Sequence, residues 1–261
     1  MSDCFYMCNG TRQGSILSPY LFTVYMRDIS QAVINSGLGC HIGSRPCNML
    51  MHADDIVILA PSWQAQQRLL NLCVSHITML SMSLNVAKTV TVFFSPYKSN
   101  CRLHCGFPQF ELCGKLVSIV HSCKYLGHWL SSDENDNVDV ACQTRLLYAR
   151  TNFLIRRFAK CNNKVKLCLF RAYCINFYGI AIWSHYHLSV MQKFQAAYNK
   201  CVKLFFGYER RYSMSAVFLE LSLPTLATIL HNTQYKFKQS VKFHVNSLVR
   251  YIVKVCNAEL V

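Results

Sequence analysis

The sequence predicts a mixed α/β (α+β) fold over its first half and an α-helical unit over its second half. Short apolar runs rich in β-branched residues, at 49–59 and 89–94, are typical of strands. Apolar residues at helical spacing follow Pro19 and Ser62, which predicts two helices around those strands. Beyond residue 140 the apolar spacing is helical. At 261 residues the chain has enough material for one large domain or two smaller ones.

The charge balance of the chain indicates a polyanionic partner. Lysine and arginine outnumber aspartate and glutamate by 27 to 12, which gives a net charge of +15. Nucleic acid is the first candidate and an acidic membrane surface the second. The apolar content of 52% excludes a disordered chain. The most apolar long stretch, Cys174 to Val190, is too short and too polar to span a membrane, so we expect no membrane partner.

The fifteen cysteines predict reduced thiols. The N-terminus carries no secretory signal, so we expect an intracellular protein of the nucleus or cytoplasm that is not secreted. The cluster from Cys101 to Cys105, which includes His104, lacks paired C-x-x-C spacing. Scattered thiols are therefore favoured over a zinc site.

The first predicted helix begins at Ser18-Pro19, because proline is favoured in the first turn of a helix. Its apolar positions are 21, 22, 25, 29, 32 and 33, and glycines at 37, 39 and 43 end it. In the preceding loop, glycines at 10 and 14 permit close approach of the backbone to a ligand. Arg12 and Gln13 place hydrogen-bond donors beside that approach. A strand is predicted at 4–8, before the Asn9-Gly10 turn.

Two adjacent carboxylates, Asp54 and Asp55, interrupt the apolar run at 49–59. Burying an unpaired carboxylate costs several kcal/mol or more, so such groups pair or bind metal. A tight turn between two antiparallel strands keeps the apolar residues in the core and brings both carboxylates out at the tip. The pair is either a solvated turn, since aspartate is common in turns, or a functional site.

A second helix is predicted from Ser62, with an apolar side made of Leu69, Leu70, Cys73, Ile77 and Leu80. A strand follows at 89–94, and residues 116–130 contain a candidate hairpin around His121-Ser122. Residues 131–139 carry four of the twelve acidic residues together with turn formers. This composition predicts an acidic linker.

The region from Val140 to Tyr208 contains no Asp or Glu but eleven Lys or Arg residues. Its apolar stripe comprises Leu146, Leu147, Phe153, Leu154 and Phe158, and basic residues flank it. A solvated helix face explains scattered lysines. The absence of acids over the whole region favours a surface that tracks phosphates.

Several of these motifs together resemble the palm of reverse transcriptases from non-LTR (LINE-type) retrotransposons. In that family an RQG-x-x-LSP-x-LF motif precedes a helix, and an aromatic-Ala-Asp-Asp hairpin follows. The matching segments occur in the family's order: Arg12-Gln13-Gly14, Leu17-Ser18-Pro19, Leu21-Phe22, Ala53-Asp54-Asp55, Leu84-Asn85, Lys88-Thr89 and Lys124-Tyr125-Leu126-Gly127. The basic helices beyond residue 140 resemble the thumb, and Trp183 with the segment from Cys201 to Gly207 resembles the region after it.

The resemblance implies an RNA-directed DNA polymerase that uses an RNA template, a DNA primer, deoxynucleotides and two Mg²⁺ ions. Such a reaction needs carboxylates because Mg²⁺ prefers oxygen ligands and shares its shell with substrate phosphates. Asp54 is the main catalytic metal ligand by this resemblance, and Asp55 has a supporting part.

The same resemblance assigns roles to residues around the metals. Three residues are expected to form the nucleotide and template pocket: Arg12, Gln13 and Gly14. Lys88 is expected to stabilise or protonate the departing pyrophosphate, with an exposed lysine at a helix end as the alternative. Tyr125 and Gly127 are expected to position the primer strand. Contacts to nucleic-acid phosphates are expected from Arg145, Arg150, Arg156, Arg157 and Lys160.

The sequence departs from the family pattern in two places. His52 replaces the aromatic residue that abuts the primer terminus, and an imidazole is smaller and titrates near neutrality. The family's other metal-binding aspartate precedes the RQG motif, and neither Asp3 nor Asp28 matches it. We therefore expect an N-terminally truncated, inactive chain without the fingers and the first palm motif. The alternative is a non-catalytic retroelement remnant that binds nucleic acid through its basic thumb.

The expected organisation has three parts. Residues 1–130 form a partial palm, and residues 131–139 form the acidic linker. Residues 140–261 form the helical basic thumb and a C-terminal extension.

Overall fold

The computed structural model of the chain describes residues 14–94 and 108–258. These residues group into two compact units, the first with 14–91 and 108–118, the second with 92–94 and 119–258. Three features expected from the sequence lie outside the described residues: the strand at 4–8, the pocket residues Arg12 and Gln13, and the cysteine cluster at 101–105.

Where the structure describes the first unit, it contains three helices and short strands, which is the combination expected of a mixed α/β fold. In chain order its elements are α1 (Ser18–Tyr25), α2 (Arg27–Asn35), β1 (His41–Ile42), β2 (Arg45–Pro46), β3 (Met49–His52), β4 (Asp55–Ile58), α3 (Trp63–Met79), β5 (Val90–Val92), β6 (Glu111–Leu112) and β7 (Lys115–Leu116). The helix predicted after Pro19 is present but divided at Met26. The helix predicted from Ser62 is confirmed, and the Ser62 hydroxyl caps it by accepting a hydrogen bond from the Ala65 amide at 3.3 Å.

Each sheet in the described part of the chain has two strands. The strands β1–β2, β3–β4 and β6–β7 form antiparallel hairpins. The strand predicted at 89–94 is the shorter β5, which pairs with β8 (Ser118–Val120). The boundary between the two units falls within β5 and β8.

The core of the first unit lies beneath the β3–β4 hairpin. Ile29 and Val33 of α2 pack against Leu69, Cys73 and Ile77 of α3. Alternate residues of the hairpin pack on the same cluster: Met49, Met51, Ile56 and Ile58. This packing fixes the inward face of the hairpin and leaves its tip in solvent.

From residue 122 onward, the described residues of the second unit form a hairpin and then six helices. Its elements are β9 (Ser122–Tyr125), β10 (His128–Ser131), α4 (Asn137–Phe158), α5 (Asn163–Cys174), α6 (Leu188–Phe206), α7 (Met214–Leu221), α8 (Leu226–Lys242) and α9 (Ser247–Ala258). Its core is aromatic, with Phe170 of α5 packed against Tyr198, Phe205 and Phe206 of α6 at ring-centroid distances of 5.8–6.1 Å. The helical character predicted beyond residue 140 is confirmed.

The β9–β10 hairpin corrects one sequence prediction. Its turn lies at Leu126-Gly127 and not at His121-Ser122, because His128 pairs with Tyr125. Both turn residues have positive φ, +46° for Leu126 and +84° for Gly127. A two-residue turn of this type requires positive φ at both positions, and Gly127 adopts it without steric cost.

The start and the buried face of α4 also differ from expectation. Within the expected linker at 131–139, Ser131 ends β10 and α4 starts at Asn137. Leu147 and Leu154 face the core as predicted, whereas Leu146 and Phe153 are 39% and 54% exposed. Adjacent helical residues point about 100° apart, so Leu146 and Leu147 cannot both face the core. The remaining buried positions are Asp139, Val140, Gln143 and Thr151.

No single helix in the described residues is long and apolar enough to cross a membrane. The pair α7 and α8, bent by 57°, passes that test jointly on length and composition. All cysteines whose state the structure describes are free. Burial raises the pKa of the Cys73 and Cys174 thiols to about 11, which makes these two thiols poor nucleophiles.

Candidate active site

The β3–β4 hairpin presents Asp54 and Asp55 at its tip. The strands pair in register from Met49–Ile58 to His52–Asp55, so the turn consists of Ala53 and Asp54 alone. Both carboxylates are exposed, as are His52 and Ala53. The predicted placement of the two aspartates is therefore confirmed, and His52 lies directly across from Asp55.

The turn holds Ala53 in a left-handed conformation, with φ of +51°. A residue with a Cβ atom pays about 1–2 kcal/mol in this region, where glycine is the favoured residue. Such strain persists only where the surrounding structure enforces it, and it clusters at functional sites. The paired strands on both sides enforce it here.

A buried asparagine at the base of the hairpin was not anticipated from the sequence. The Asn48 amide is 2% exposed and donates to the Val33 carbonyl at 2.9 Å and to the Leu38 carbonyl at 2.8 Å. Gly39 makes room for it, since a Cβ there would lie 2.4 Å from the Asn48 Cβ. Asn48 thus ties the start of β3 to the end of α2. Its only sequence signal is a polar residue directly before an apolar run.

The donor set at the tip fits Mg²⁺ in kind but supplies only part of a coordination shell. Within the described residues, neither the Asp54 nor the Asp55 carboxylate has a hydrogen bond or an ion pair, so both are free to bind a cation. In the same range, no three His, Cys, Asp or Glu side chains come together as a metal cluster. Mg²⁺ needs six oxygen ligands, some of which water and substrate phosphates provide.

The other predicted pocket residues are placed as follows. Gly14, with φ of +81°, precedes α1. Lys88 is exposed in a turn after α3, where its amide donates to the Asn85 side chain at 3.2 Å. The structure records no hydrogen bond or ion pair between either residue and the carboxylates among the residues it describes.

The predicted primer-side residues Tyr125 and Gly127 lie in the β9–β10 hairpin of the second unit. Tyr178 packs against the hairpin turn, and its hydroxyl donates to the Leu126 carbonyl at 2.5 Å. A Cβ atom at Gly127 would lie 2.9 Å from the Tyr178 ring. Two features therefore favour glycine at position 127: the positive φ of the turn and the close approach of the Tyr178 ring.

A buried polar cluster holds this hairpin to α4 and to the segment after α5. Asp139 is 1% exposed, and its carboxylate accepts from the Trp183 indole at 2.8 Å and from the Trp129 amide at 3.3 Å. His128 Nδ1 lies 3.0 Å from Asp139 Oδ2, an ion-pair distance without hydrogen-bond geometry. Gly179 leaves the space, since a Cβ there would come within 2.8 Å of His128.

A second carboxylate completes this cluster. Asp136 Oδ2 accepts from the Ser184 amide at 2.8 Å and from the His185 amide at 3.0 Å, and its Oδ1 lies 3.7 Å from His128 Nε2. Both aspartates fall within residues 131–139, which the sequence predicts as a linker. The missed signal is their spacing of three residues at a helix start, where acidic residues are favoured.

The basic residues predicted to contact phosphates differ in accessibility. Arg145, Arg156, Arg157 and Lys160 are exposed on or after α4. The Arg157 guanidinium lies 5.8 Å from the centroid of the exposed Phe153 ring. Arg150 is half-buried, and its Nη1 donates to the Tyr173 and Asn176 carbonyls at 3.3 Å. The Arg150 guanidinium therefore already binds backbone carbonyls and is less available to a phosphate than the four exposed residues are.

Comparison with known proteins gives consistent matches. Residues 2–130 match the family described as reverse transcriptase (RNA-dependent DNA polymerase). The RNA-directed DNA polymerase from mobile element jockey of Drosophila funebris is 24% identical over 257 residues, 92% of this chain and 26% of that protein. Its Drosophila melanogaster counterpart is 24% identical over 96% of this chain and 28% of that protein.

A third relative matches a shorter segment. The Pol polyprotein from type-2 retrotransposable element R2DM of Drosophila melanogaster is 32% identical over 91 residues, which cover 35% of this chain and 8% of that protein. The chain spans about a quarter of the length of the two jockey relatives. No solved structure matches the chain.

Proposed function

Because the chain belongs to the reverse transcriptases of non-LTR retrotransposons, we propose that its β3–β4 hairpin supplies metal ligands for RNA-directed DNA synthesis. The observation that carries this proposal is the pair of exposed carboxylates at the hairpin tip, without partners among the described residues. The substrates would be an RNA template, a DNA primer and deoxynucleotides, and the reaction would add nucleotides to the primer.

Asp54 and Asp55 would hold Mg²⁺, which in such sites stabilises charge on the transferring phosphate and on the attacking and leaving oxygens. Asp55 belongs to β4 and pairs with His52, so its position is fixed by the strand register. Asp54 occupies the turn itself. The strained Ala53 and the core contacts below the strands would hold both carboxylates in place without a salt bridge.

The remaining residues would act on the substrates. Arg12, Gln13 and Gly14 would shape the nucleotide and template pocket, and the exposed Lys88 would meet departing pyrophosphate. His52 would lie beside the primer terminus. In the second unit, Tyr125 and Gly127 would position the primer strand.

We further propose that residues 1–130 are the palm portion and that residues 140–261 are the thumb and a C-terminal extension, in an intracellular protein of the nucleus or cytoplasm. The thumb assignment is supported by exposed basic residues on α4 and directly after it: Arg145, Arg156, Arg157 and Lys160. Their phosphate contacts should make duplex binding weaken steeply with salt. Each phosphate neutralised contributes about −0.9 to the log–log slope. Binding that is independent of salt, or unchanged in Arg156→Glu/Arg157→Glu, would count against the assignment.

A second candidate function is nucleic-acid binding without catalysis. The observation in its favour is that the described residues bring only two carboxylates to the hairpin tip, from one side of the space that a metal pair would occupy. The net charge of +15 supports binding under either function.

Metal-directed cleavage tests the metal site without relying on catalysis. Fe²⁺ can replace Mg²⁺ at oxygen sites, and with ascorbate and peroxide it cuts the backbone close to where it binds. We expect cuts around residues 52–56 of the native chain, protection by excess Mg²⁺, and loss of the cuts in Asp54→Asn and Asp55→Asn. Asp28→Asn, which changes an acid of α2, is the matched control and should keep the cuts. Cleavage elsewhere, or cuts at 52–56 that persist in Asp54→Asn, would refute the assignment.

A further inference from the structure

The C-terminal half of α8 exposes aromatic and basic side chains together. The first half of the helix is anchored in the core of the second unit, where Leu226 and Ile229 are buried. Beyond it Tyr235 is 58% exposed and the helix-end Phe243 is 75% exposed. Three lysines on the same half are also exposed: Lys236, Lys238 and Lys242. We name these five residues the α8 ridge.

The helical repeat places the side chains of the α8 ridge in two adjacent rows. Tyr235, Lys238 and Lys242 are separated by three and four residues, so they form one row along the helix. Lys236 and Phe243, seven residues apart, form the adjacent row. The Lys242 ammonium lies 5.7 Å from the centroid of the Phe243 ring, which joins the two rows at the helix end. Tyr235 and Lys242 lie about 10 Å apart along the axis, the length of about three stacked nucleotides.

The charge of this region is uncompensated by nearby acids. No Asp or Glu occurs between Glu220 and Glu259, whereas five Lys or Arg residues do. Among the described residues, no lysine of the ridge has an ion pair. A surface of this kind attracts a polyanion, and phosphate groups spaced along a chain match a row of lysines.

We propose that the α8 ridge binds single-stranded nucleic acid. This goes beyond the proposed function, whose metal ligands are assigned to the β3–β4 hairpin and whose phosphate contacts are assigned to basic residues on and directly after α4. Exposed aromatic rings stack on bases, and bases are available for stacking only where the strand is unpaired. Lysines in the same row hold the phosphates on either side of the stacked bases. A membrane surface fits less well, because inserting the Tyr235 row into hydrocarbon would bury Lys238 and Lys242.

Direct contact is tested by photocrosslinking the full chain to an oligouridylate that carries 5-iodouridine. We expect mass spectrometry to find the crosslink at Tyr235 or Phe243. Crosslinks confined to α4 would overturn the proposal.

Binding measurements test the contribution of each part of the ridge. Fluorescence anisotropy would compare a labelled oligothymidylate with a duplex of the same length. We expect Tyr235→Ala to weaken single-strand binding by about fivefold to 150-fold. Lys238→Gln/Lys242→Gln should lower the log–log salt slope for the single strand by about 1.4. Duplex binding should change little in either variant.

Matched controls separate the ridge from general charge effects. Arg68→Gln/Lys115→Gln removes the same charge from exposed positions of the first unit, and Leu219→Ala removes an exposed apolar side chain from α7. Both should bind the single strand as the native chain does. Equal losses on single strand and duplex, or no loss, would overturn the proposal. So would ridge-dependent binding to phosphatidylserine vesicles in place of the oligonucleotide.

The outcome of these experiments is independent of the phosphate contacts proposed for α4. Arg156→Glu/Arg157→Glu should weaken duplex binding and leave the ridge-dependent single-strand binding in place. If that variant lost duplex binding alone and the ridge variants bound single strands unchanged, the α4 contacts would be retained and the α8 ridge would be rejected.

Discussion

Replacing Asp139 with alanine should lower the free energy of unfolding of the second unit by more than any substitution of an exposed residue. The substitution leaves the Trp183 indole and the Trp129 amide without their acceptor. Each buried donor left unpaired costs about 1–3 kcal/mol. It also leaves His128, 8% exposed, without its nearest carboxylate. The two unpaired donors together predict a loss of about 4 kcal/mol in the free energy of unfolding.

Asp139→Asn separates hydrogen bonding from charge. The amide oxygen keeps one acceptor for Trp183 or Trp129 but removes the negative charge beside His128, so we expect a smaller loss of about 2 kcal/mol. Combining Asp139→Asn with His128→Gln should give a coupling energy of about 0.5–3 kcal/mol if the two side chains interact.

Urea unfolding followed by tryptophan fluorescence and by circular dichroism measures these differences. Glu209→Ala removes an exposed carboxylate from the same unit and serves as the matched control, with an expected change within about 0.5 kcal/mol. A loss below about 1 kcal/mol for Asp139→Ala would refute the reasoning, because it would mean that the buried carboxylate has no energetic partners.

Three further predictions concern the hairpins, the reaction and the pH dependence. Gly127→Ala should lower the free energy of unfolding by about 1–2 kcal/mol, since it places a Cβ at φ of +84° and 2.9 Å from the Tyr178 ring. The control Gly114→Ala is also at positive φ but has open space around it, so its loss should be smaller. The 261-residue chain should not extend a primer on an RNA template with Mg²⁺ and deoxynucleotides, because its two tip carboxylates approach a metal pair from one side; extension that disappears in Asp54→Ala would show this to be wrong. Hydrogen bonds from Tyr212 and Tyr208 lower the pKa of Glu220 below its ordinary 4.5. The ionised Glu220 carboxylate therefore stabilises the folded state above pH 4.5, and this stabilisation is lost as the pH falls through the lowered pKa. Stability measured across the acid range should therefore lose that component in Glu220→Gln, and an unchanged acid profile in that variant would contradict the prediction.

The sequence by itself determined the features that depend on near neighbours in the chain. The carboxylate hairpin follows from apolar runs on either side of two aspartates, and its strands pair residues only a few positions apart. The start of α3 follows from Ser62, whose hydroxyl bonds an amide three residues on. The resemblance of ordered motifs to a reverse transcriptase likewise needed only residue types and spacing, and the family match confirmed it.

Only the tertiary structure decided which residues lie beside each other when the chain separates them widely. Asp139 is buried because Trp183, 44 positions later, brings its indole to the carboxylate. The turn at Leu126-Gly127 receives Tyr178 from 52 positions away. Leu147 faces the core and Leu146 does not because α6 packs on one side of α4. A local pattern records the character of a side chain, whereas its burial depends on a partner that folding brings from elsewhere in the chain.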